Sequence, residues 1–176
     1  MLDRVREAMF STLGPGIEGA FALDLFAGSG SLGLEALSRG AAHARFVEDD
    51  ARVAEIIRDN VATLGVDGRA DVRTANAISS ATWTPPEGEG ARWADVIFFD
   101  PPYPWLADER RTSVFEAATA LAHGVLRPGG LLVFHTPRRG ARDHEFAPEF
   151  EADRRGYGSS ALWYLRGPAA EEADTE

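Results

Sequence analysis

Short apolar runs alternate with helix-like stretches along most of the chain, and this alternation limits the fold more than any other feature. Ala20–Phe26, Ala44–Val47, Asp71–Ala75, Ala94–Phe99 and Leu131–His135 read as strands, while Ser31–Ser38, Ala51–Leu64 and residues 109–126 read as helices. Strands this apolar have no face to give to water, so both faces must be covered. The expected architecture is therefore α/β: a mostly parallel sheet with helices on both faces. A further amphipathic helix over Leu2–Leu13 comes first, with Asp3 as N-cap and Val5, Ala8, Met9 and Thr12 on one face; Gly14-Pro15-Gly16 ends it. In Ala51–Leu64 the apolar side is Val53, Ile56, Ile57, Val61 and Leu64. Residues 79–92 read as a loop, and Arg127-Pro128-Gly129-Gly130 as the stop after the last helix. Two final strand candidates, Glu149–Arg154 and Ala161–Leu165, have only Arg155-Gly156-Tyr157-Gly158 between them. They are expected to pair as an antiparallel hairpin on one edge. A ligand in such a sheet belongs at the carboxyl ends of the strands, where the strand order reverses.

Composition narrows the class. At 176 residues, 44% hydrophobic and 26% charged, the chain suits one packed domain, expected over residues 1–167. An acidic tail over residues 168–176 is expected to be disordered. No apolar run approaches the ~18 residues of a membrane span, and the start lacks a signal-peptide pattern. The absence of cysteine excludes disulfides, thiolate metal sites and a Cys nucleophile. His43, His123, His135 and His144 show no ligand spacing, so no metal is expected. These features suggest a soluble cytoplasmic protein. The net charge of −10 counts against a nucleic-acid partner, since phosphate binding rewards a basic surface. However, part of the acid lies in the tail, and all eighteen basic residues are arginine. Net charge is thus a weak guide to partners.

Chemistry concentrates at two motifs. The first is Gly-x-Gly-x-x-Gly at Gly28, Gly30 and Gly33, directly after a strand and opening a helix. Gly28 would permit the tight turn, Gly30 would let backbone approach a ligand, and the helix start would offer free N–H groups. Glu48 follows Gly28 by 20 residues, at the end of the next strand, where a carboxylate can accept two hydrogen bonds from a ribose diol. NAD and S-adenosylmethionine both fit this arrangement. Asp24 near the end of the first strand favours the second, because a carboxylate there suits its positive amino-acid end. A buried unpaired carboxylate is costly, so Asp24 should have a partner.

The second motif is Asp100-Pro101-Pro102-Tyr103, which runs on from the most apolar strand. Two prolines remove N–H donors and leave an acceptor-rich surface made of the Asp100 carboxylate and the Pro101 carbonyl. Such a pair can hold both hydrogens of a planar exocyclic amine and favour the pyramidal geometry needed for attack, while the Tyr103 ring stacks on the base. Positioning and electrostatics would carry the methyl transfer, without a metal. Trp105, two residues beyond Tyr103, is a candidate to flank the base, whereas Trp83, Trp93 and Trp163 are expected to be packing residues. Arg4 and Arg6, two apart and so on different faces of their helix, form with Arg138, Arg139 and Arg142 a candidate RNA-facing rim.

With these motifs in place the chain resembles the bacterial small-subunit (16S) rRNA guanine-N2 methyltransferases. Four segments carry the resemblance: Asp3–Phe10, Asp24–Ala41, Phe46-Val47-Glu48 with the acids that follow, and Phe99–Tyr103, in the family's order over residues 3–166. The resemblance implies a Rossmann-like, seven-stranded S-adenosylmethionine-dependent methyltransferase fold. It also implies methylation of a guanine N2 in 16S rRNA within the small ribosomal subunit or its assembly intermediate, by an enzyme expected to be a monomer. Carried over by position, Asp24, Ala27, Gly28, Ser29 and Gly30 line the methionine end of the cofactor. Glu48 holds the ribose beside Asp49, Asn76-Ala77 lies at the adenine, and Asp100, Pro101 and Tyr103 hold the target base. The chain departs from the pattern in two places: the basic β-hairpin that precedes the first helix in relatives is missing, and Asn76 stands where they often have Asp.

Other readings of the residues remain: an amino-methyltransferase for adenine N6 in DNA or for a protein glutamine amide, an NAD-dependent dehydrogenase, and a non-catalytic RNA-binding relative. Asn usually replaces Asp100 in the glutamine enzymes, and a dehydrogenase lacks support from Asp24 and from any plain catalytic Lys or Tyr-x-x-x-Lys.

Overall fold

The computed structural model describes residues 3–142, 145–146, 150 and 152–167. Its strands are β1 (Phe21–Leu25), β2 (His43–Glu48), β3 (Ala70–Thr74), β4 (Ala94–Phe99), β5 (Leu126–Pro137), β6 (Ala152–Tyr157) and β7 (Ser160–Arg166). The helices are α1 (Asp3–Leu13), α2 (Ser31–Ser38), α3 (Ala51–Leu64) and α4 (Arg111–Gly124). One seven-stranded sheet runs in the order β3-β2-β1-β4-β5-β7-β6. Strands β1 to β5 pair in parallel, and β7 is antiparallel to both β5 and β6. The order reverses at β1, which lies between β2 and β4.

Alternate residues of each strand feed two cores. On one face Val96 and Phe98 of β4 join Met9 and Phe10 of α1, Leu37 of α2 and Ile57 of α3. On the other face Ile97 and Phe99 meet α4 together with Trp83 and Trp93. Each fully buried ring contributes roughly 1.5–3 kcal/mol, so the strand that delivers Asp100 is anchored from both sides. Among the described residues no helix is long and apolar enough to cross a membrane.

Several local details differ from the sequence reading. In α1 the buried residues are Val5, Met9 and Phe10, with Ala8 and Thr12 only partly covered. In α3 Ala54, Ile57 and Val61 face the core, while Ile56 and Leu64 are 49% and 60% exposed. Arg127-Pro128-Gly129-Gly130 does not end a helix; it lies inside β5. There Leu126 pairs with Ala94 and the register then shifts, a bulge allowed by Gly129 at φ +78° and by Gly130. A Cβ on Gly130 would lie 2.8 Å from Leu126 Cδ2 and 3.0 Å from the Asp95 carbonyl. The last hairpin turns at Gly158-Ser159, so Arg155, Gly156 and Tyr157 belong to β6. The start of the expected strand at Glu149, His144 and the acidic tail lie outside the described residues.

One buried charge braces the sheet beside the site. Arg45 of β2 is 2% exposed and pairs with Asp71, its register partner on β3, at 2.7 Å. Its guanidinium also donates to the Thr84 carbonyl and lies over the Trp93 ring at 5.0 Å. Burial pulls the Arg45 pKa down, and Asp71 opposes that shift. Strand β2 is thereby tied to the segment carrying Trp83 and Trp93.

Candidate active site

The glycine turn sits at the carboxyl end of β1, at the reversal of strand order. Its glycines have distinct reasons to be glycine. Gly28 has φ +56°, and a Cβ there would find no atom within 4 Å. Gly30 has φ +79°, and its Cβ would stand 3.1 Å from Ile57 Cγ2. Gly33 is tightest: its Cβ would fall 2.3 Å from Phe46 Cε1, so the missing side chain lets α2 pack on β2. Open space thus adjoins Gly28, while Gly30 packs closely against Ile57 of α3. The turn's N–H groups are not all free. Those of Gly28, Gly30 and Gly33 donate to Glu48 Oε2, the Ala27 carbonyl and Asp24 Oδ2. Phe26, just before the turn, holds φ 59°, a conformation that costs a non-glycine residue on the order of 1–3 kcal/mol. Its ring packs edge-on against Phe99 and Trp105.

Three carboxylates converge around this turn. Asp24 is 1% exposed and accepts the Gly33 N–H at 2.9 Å, which supplies the expected partner. Burial pushes its carboxyl well above the ordinary carboxylate range; the Gly33 N–H opposes this, and the charges of Asp100 and Glu48 add to it. Glu48 accepts from Gly28 at 2.8 Å and from Asp50 at 3.1 Å, one bond on each oxygen, leaving lone pairs on both. Asp49 is exposed beside it, and Asp50 caps α3 by accepting from the Arg52 and Val53 N–H groups. At the end of β3, exposed Asn76 accepts the Ile78 N–H, and buried Ala77 receives the Trp83 indole N–H at its carbonyl. The Ser29 carbonyl accepts from Asn60 of α3 at 3.1 Å, while the Ser29 residue itself is exposed.

Beyond the carboxylates opens a cavity of about 490 Å³ lined by Asp100, Pro101, Pro102, Tyr103, His135, Ser159 and Ser160. Asp100 Oδ1 lies 2.7 Å from His135 Nδ1. His135 Nε2 lies 3.2 Å from the Tyr103 hydroxyl, which is 3.1 Å from Ser160 Oγ. Tyr103 is 40% exposed, so its ring faces solvent while its hydroxyl is anchored. Trp105, the candidate to flank the base, is half-buried. It packs edge-on against Phe26, and the Arg110 guanidinium lies 4.6 Å from its ring centre. Trp83, Trp93 and Trp163 are buried as expected.

Among the candidate rim residues, Arg138 and Arg139 follow the end of β5. Arg138 donates its backbone N–H to the carbonyl of Ser159, a residue that lines the cavity, and Nη1 to the Gly158 carbonyl. On α1, Arg4 is exposed and Arg6 pairs with Asp3 at 2.9 Å.

The sequence reading missed His135 and Ser160. A polar residue closing an otherwise apolar strand run, Leu131–His135, is the one signal that marked His135.

A mostly parallel seven-stranded sheet in which only the last strand, β7, runs antiparallel, with a glycine turn at the β1 end, is the fold of the S-adenosylmethionine-dependent methyltransferases. Within that class, the chain belongs to the family described as conserved hypothetical protein 95, whose model matches residues 1–166. It is 42% identical over 124 residues to ribosomal RNA small subunit methyltransferase D of Escherichia coli K12, covering 61% of this chain and 58% of that one. It is 35% identical over 137 residues to the protein of the same name from Haemophilus influenzae, covering 77% and 66%. A solved structure named "Putative methyltransferase yhhF from Escherichia coli" superposes with TM-score 0.77 at 31% identity, over 96% of this chain and 88% of that one. The chain spans between about half and two thirds of the length of the curated relatives it matches.

Proposed function

We propose that this protein transfers a methyl group from S-adenosylmethionine to the exocyclic N2 of a guanine in 16S rRNA. In this reading residues 1–167 act as one domain and a monomer, in the cytoplasm, on the small ribosomal subunit or its assembly intermediate. The observation that carries the reading is the Asp100 carboxylate, fixed at the edge of the cavity that Tyr103 also lines. The names of the relatives support rRNA as the substrate.

The residues present suit the cofactor. Gly28 leaves space where any side chain would intrude, and Asp24, Glu48 and Asp100 make a negative setting that a cationic ligand would relieve. Asp24, Ala27, Gly28, Ser29 and Gly30 would hold its amino-acid end, Glu48 with Asp49 its ribose, and Asn76-Ala77 its adenine. When bound, S-adenosylmethionine supplies an electrophilic methyl group on a positively charged sulfur.

The protein's own part is to prepare the amine. Asp100 and the Pro101 carbonyl each accept one N2 hydrogen, which draws the nitrogen lone pair out of conjugation with the ring. Tyr103 offers its exposed ring to the base. As nitrogen takes the methyl group, the N–C bond would form while the C–S bond breaks and its electron pair stays on sulfur as a neutral thioether; nitrogen becomes positive, and the Asp100 carboxylate stabilises that charge across a short distance. The surplus proton leaves nitrogen for the free oxygen of Asp100 and passes from there to water. The guanidinium groups of Arg138, Arg139 and Arg142 have no carboxylate partner among the described residues, although the Arg142 backbone N–H donates to Glu145, which leaves the three for RNA phosphates; Arg4, and Arg6 once freed from Asp3, extend that surface.

The test is methyl transfer from labelled S-adenosylmethionine to small subunits lacking the modification, with mapping of the methylated base. Label on a guanine N2 is the expected outcome. Label on adenine N6 or on protein, or none despite cofactor binding, overturns the reading. Asp100→Asn should slow transfer about 10²–10³-fold and leave cofactor affinity nearly unchanged.

A further inference from the structure

We propose that His135 is the positioning residue of the site, locking Asp100 and Tyr103 in one frame from below the cavity. The inference rests on the reading of Asp100 and Tyr103 as the groups that face the target amine.

The hydrogen-bond inventory dictates how the ring works. An ionised Asp100 has no hydrogen to give, so His135 Nδ1 donates to Oδ1 at 2.7 Å. In a neutral imidazole Nε2 is then the acceptor, and the Tyr103 hydroxyl donates to it at 3.2 Å. The Tyr103 oxygen in turn accepts from Ser160 Oγ at 3.1 Å. Each group in the chain Ser160, Tyr103, His135, Asp100 is satisfied with a single direction of donation. His135 is 3% exposed on a core strand, so the ring cannot swing away. Asp100 is therefore held by one oxygen, and its other oxygen stays available to the amine. Tyr103 sits on the segment after β4, which on its own would leave its ring free to turn. The hydroxyl bonds to His135 and Ser160 pin the far end of that ring to β5 and β7. An oxygen displaced by about an ångström is enough to slow transfer roughly 10²-fold.

Two near-isosteric substitutions divide the ring's two contacts. The His135→Asn amide nitrogen falls near the place of Nδ1 and keeps the donation to Asp100. His135→Gln reaches toward the place of Nε2 and keeps a partner for Tyr103 while leaving Asp100 unsupported. His135→Phe keeps bulk and loses both. Single-turnover transfer should fall less than fivefold in the Asn variant and about 10–100-fold in the Gln and Phe variants, with S-adenosylmethionine affinity within twofold of wild type throughout. Wild-type transfer by His135→Phe overturns the proposal. A second measurement does not depend on the substrate. With only four histidines in the chain, nitrogen-resolved NMR should show a proton on His135 Nδ1, and Tyr103→Phe should shift Nε2. A tautomer with its proton on Nε2 refutes the positioning role even if methyl transfer is observed. The expected tautomer without any transfer to guanine leaves the network intact and refutes the functional reading instead.

Discussion

Alanine at Gly28 and at Gly33 should produce opposite kinds of damage, although the motif treats the two glycines alike. At Gly33 a methyl group would stand 2.3 Å from Cε1 of Phe46, whose ring is fully buried. Overpacking of this kind costs about 1–3 kcal/mol. The gain from replacing glycine within α2 is at most about 1 kcal/mol. The net expectation is a loss of roughly 1–2 kcal/mol, with cofactor affinity changed only as far as α2 is displaced. At Gly28 the added methyl meets nothing within 4 Å, so the protein loses only the cost of φ +56° for a residue with a Cβ, about 1–2 kcal/mol or less. That methyl does project into the space assigned to the cofactor, and S-adenosylmethionine affinity should fall at least about tenfold, the equivalent of 1.4 kcal/mol. Urea unfolding gives the stability of each variant, and isothermal titration calorimetry gives its dissociation constant. If Gly28→Ala binds S-adenosylmethionine normally, the open side of Gly28 is not where the cofactor lies, and the argument for the turn fails.

Further consequences concern charge. The folded-state pKa of Asp24 is raised above its unfolded value, so the carboxyl supports stability fully below the unfolded pKa and progressively less as pH rises through the folded one. Asp24→Asn should therefore match wild type at the acid end and gain on it toward pH 8 in the absence of ligand, as read from urea midpoints; a flat or reversed difference refutes the burial argument. Arg138→Gln combined with Arg139→Gln should weaken subunit binding and lower the slope of log affinity against log salt by about 1–2, while free S-adenosylmethionine binding stays unchanged; an unaltered slope removes this rim from the RNA surface.

What the sequence made legible was local. Ala94–Phe99 could only be a strand covered on both sides, and β4 matches it residue for residue. The glycine turn and Asp100–Tyr103 each lie within a few residues of a strand end, so spacing alone located them. Long-range dependence was hidden. The partners of His135 lie 35 and 32 residues away on the chain, and no local pattern distinguishes a histidine that closes a strand from one that supports a carboxylate. Arg45 presents the same difficulty, because a charge within a strand reads as an edge or an interruption until Asp71 is found opposite it. The Pro-Gly-Gly in β5 misleads for a different reason. Residues that break helices also permit bulges, and only the pairing of Leu126 with Ala94 decides between the two.

The net charge of −10 and the proposed RNA substrate are compatible because the arginines are unevenly committed. At least nine of the eighteen arginines are ion-paired with carboxylates. Those pairs present little field beyond their own contact distance. The Debye length is about 8 Å at physiological ionic strength, so charges elsewhere on the molecule scarcely register at the cavity. In the proposed reading, Arg138, Arg139 and Arg142 offset the carboxylates of the cavity for an approaching phosphate. They lie at the end of β5, and Arg138 is bonded to Ser159, a residue that also lines the cavity.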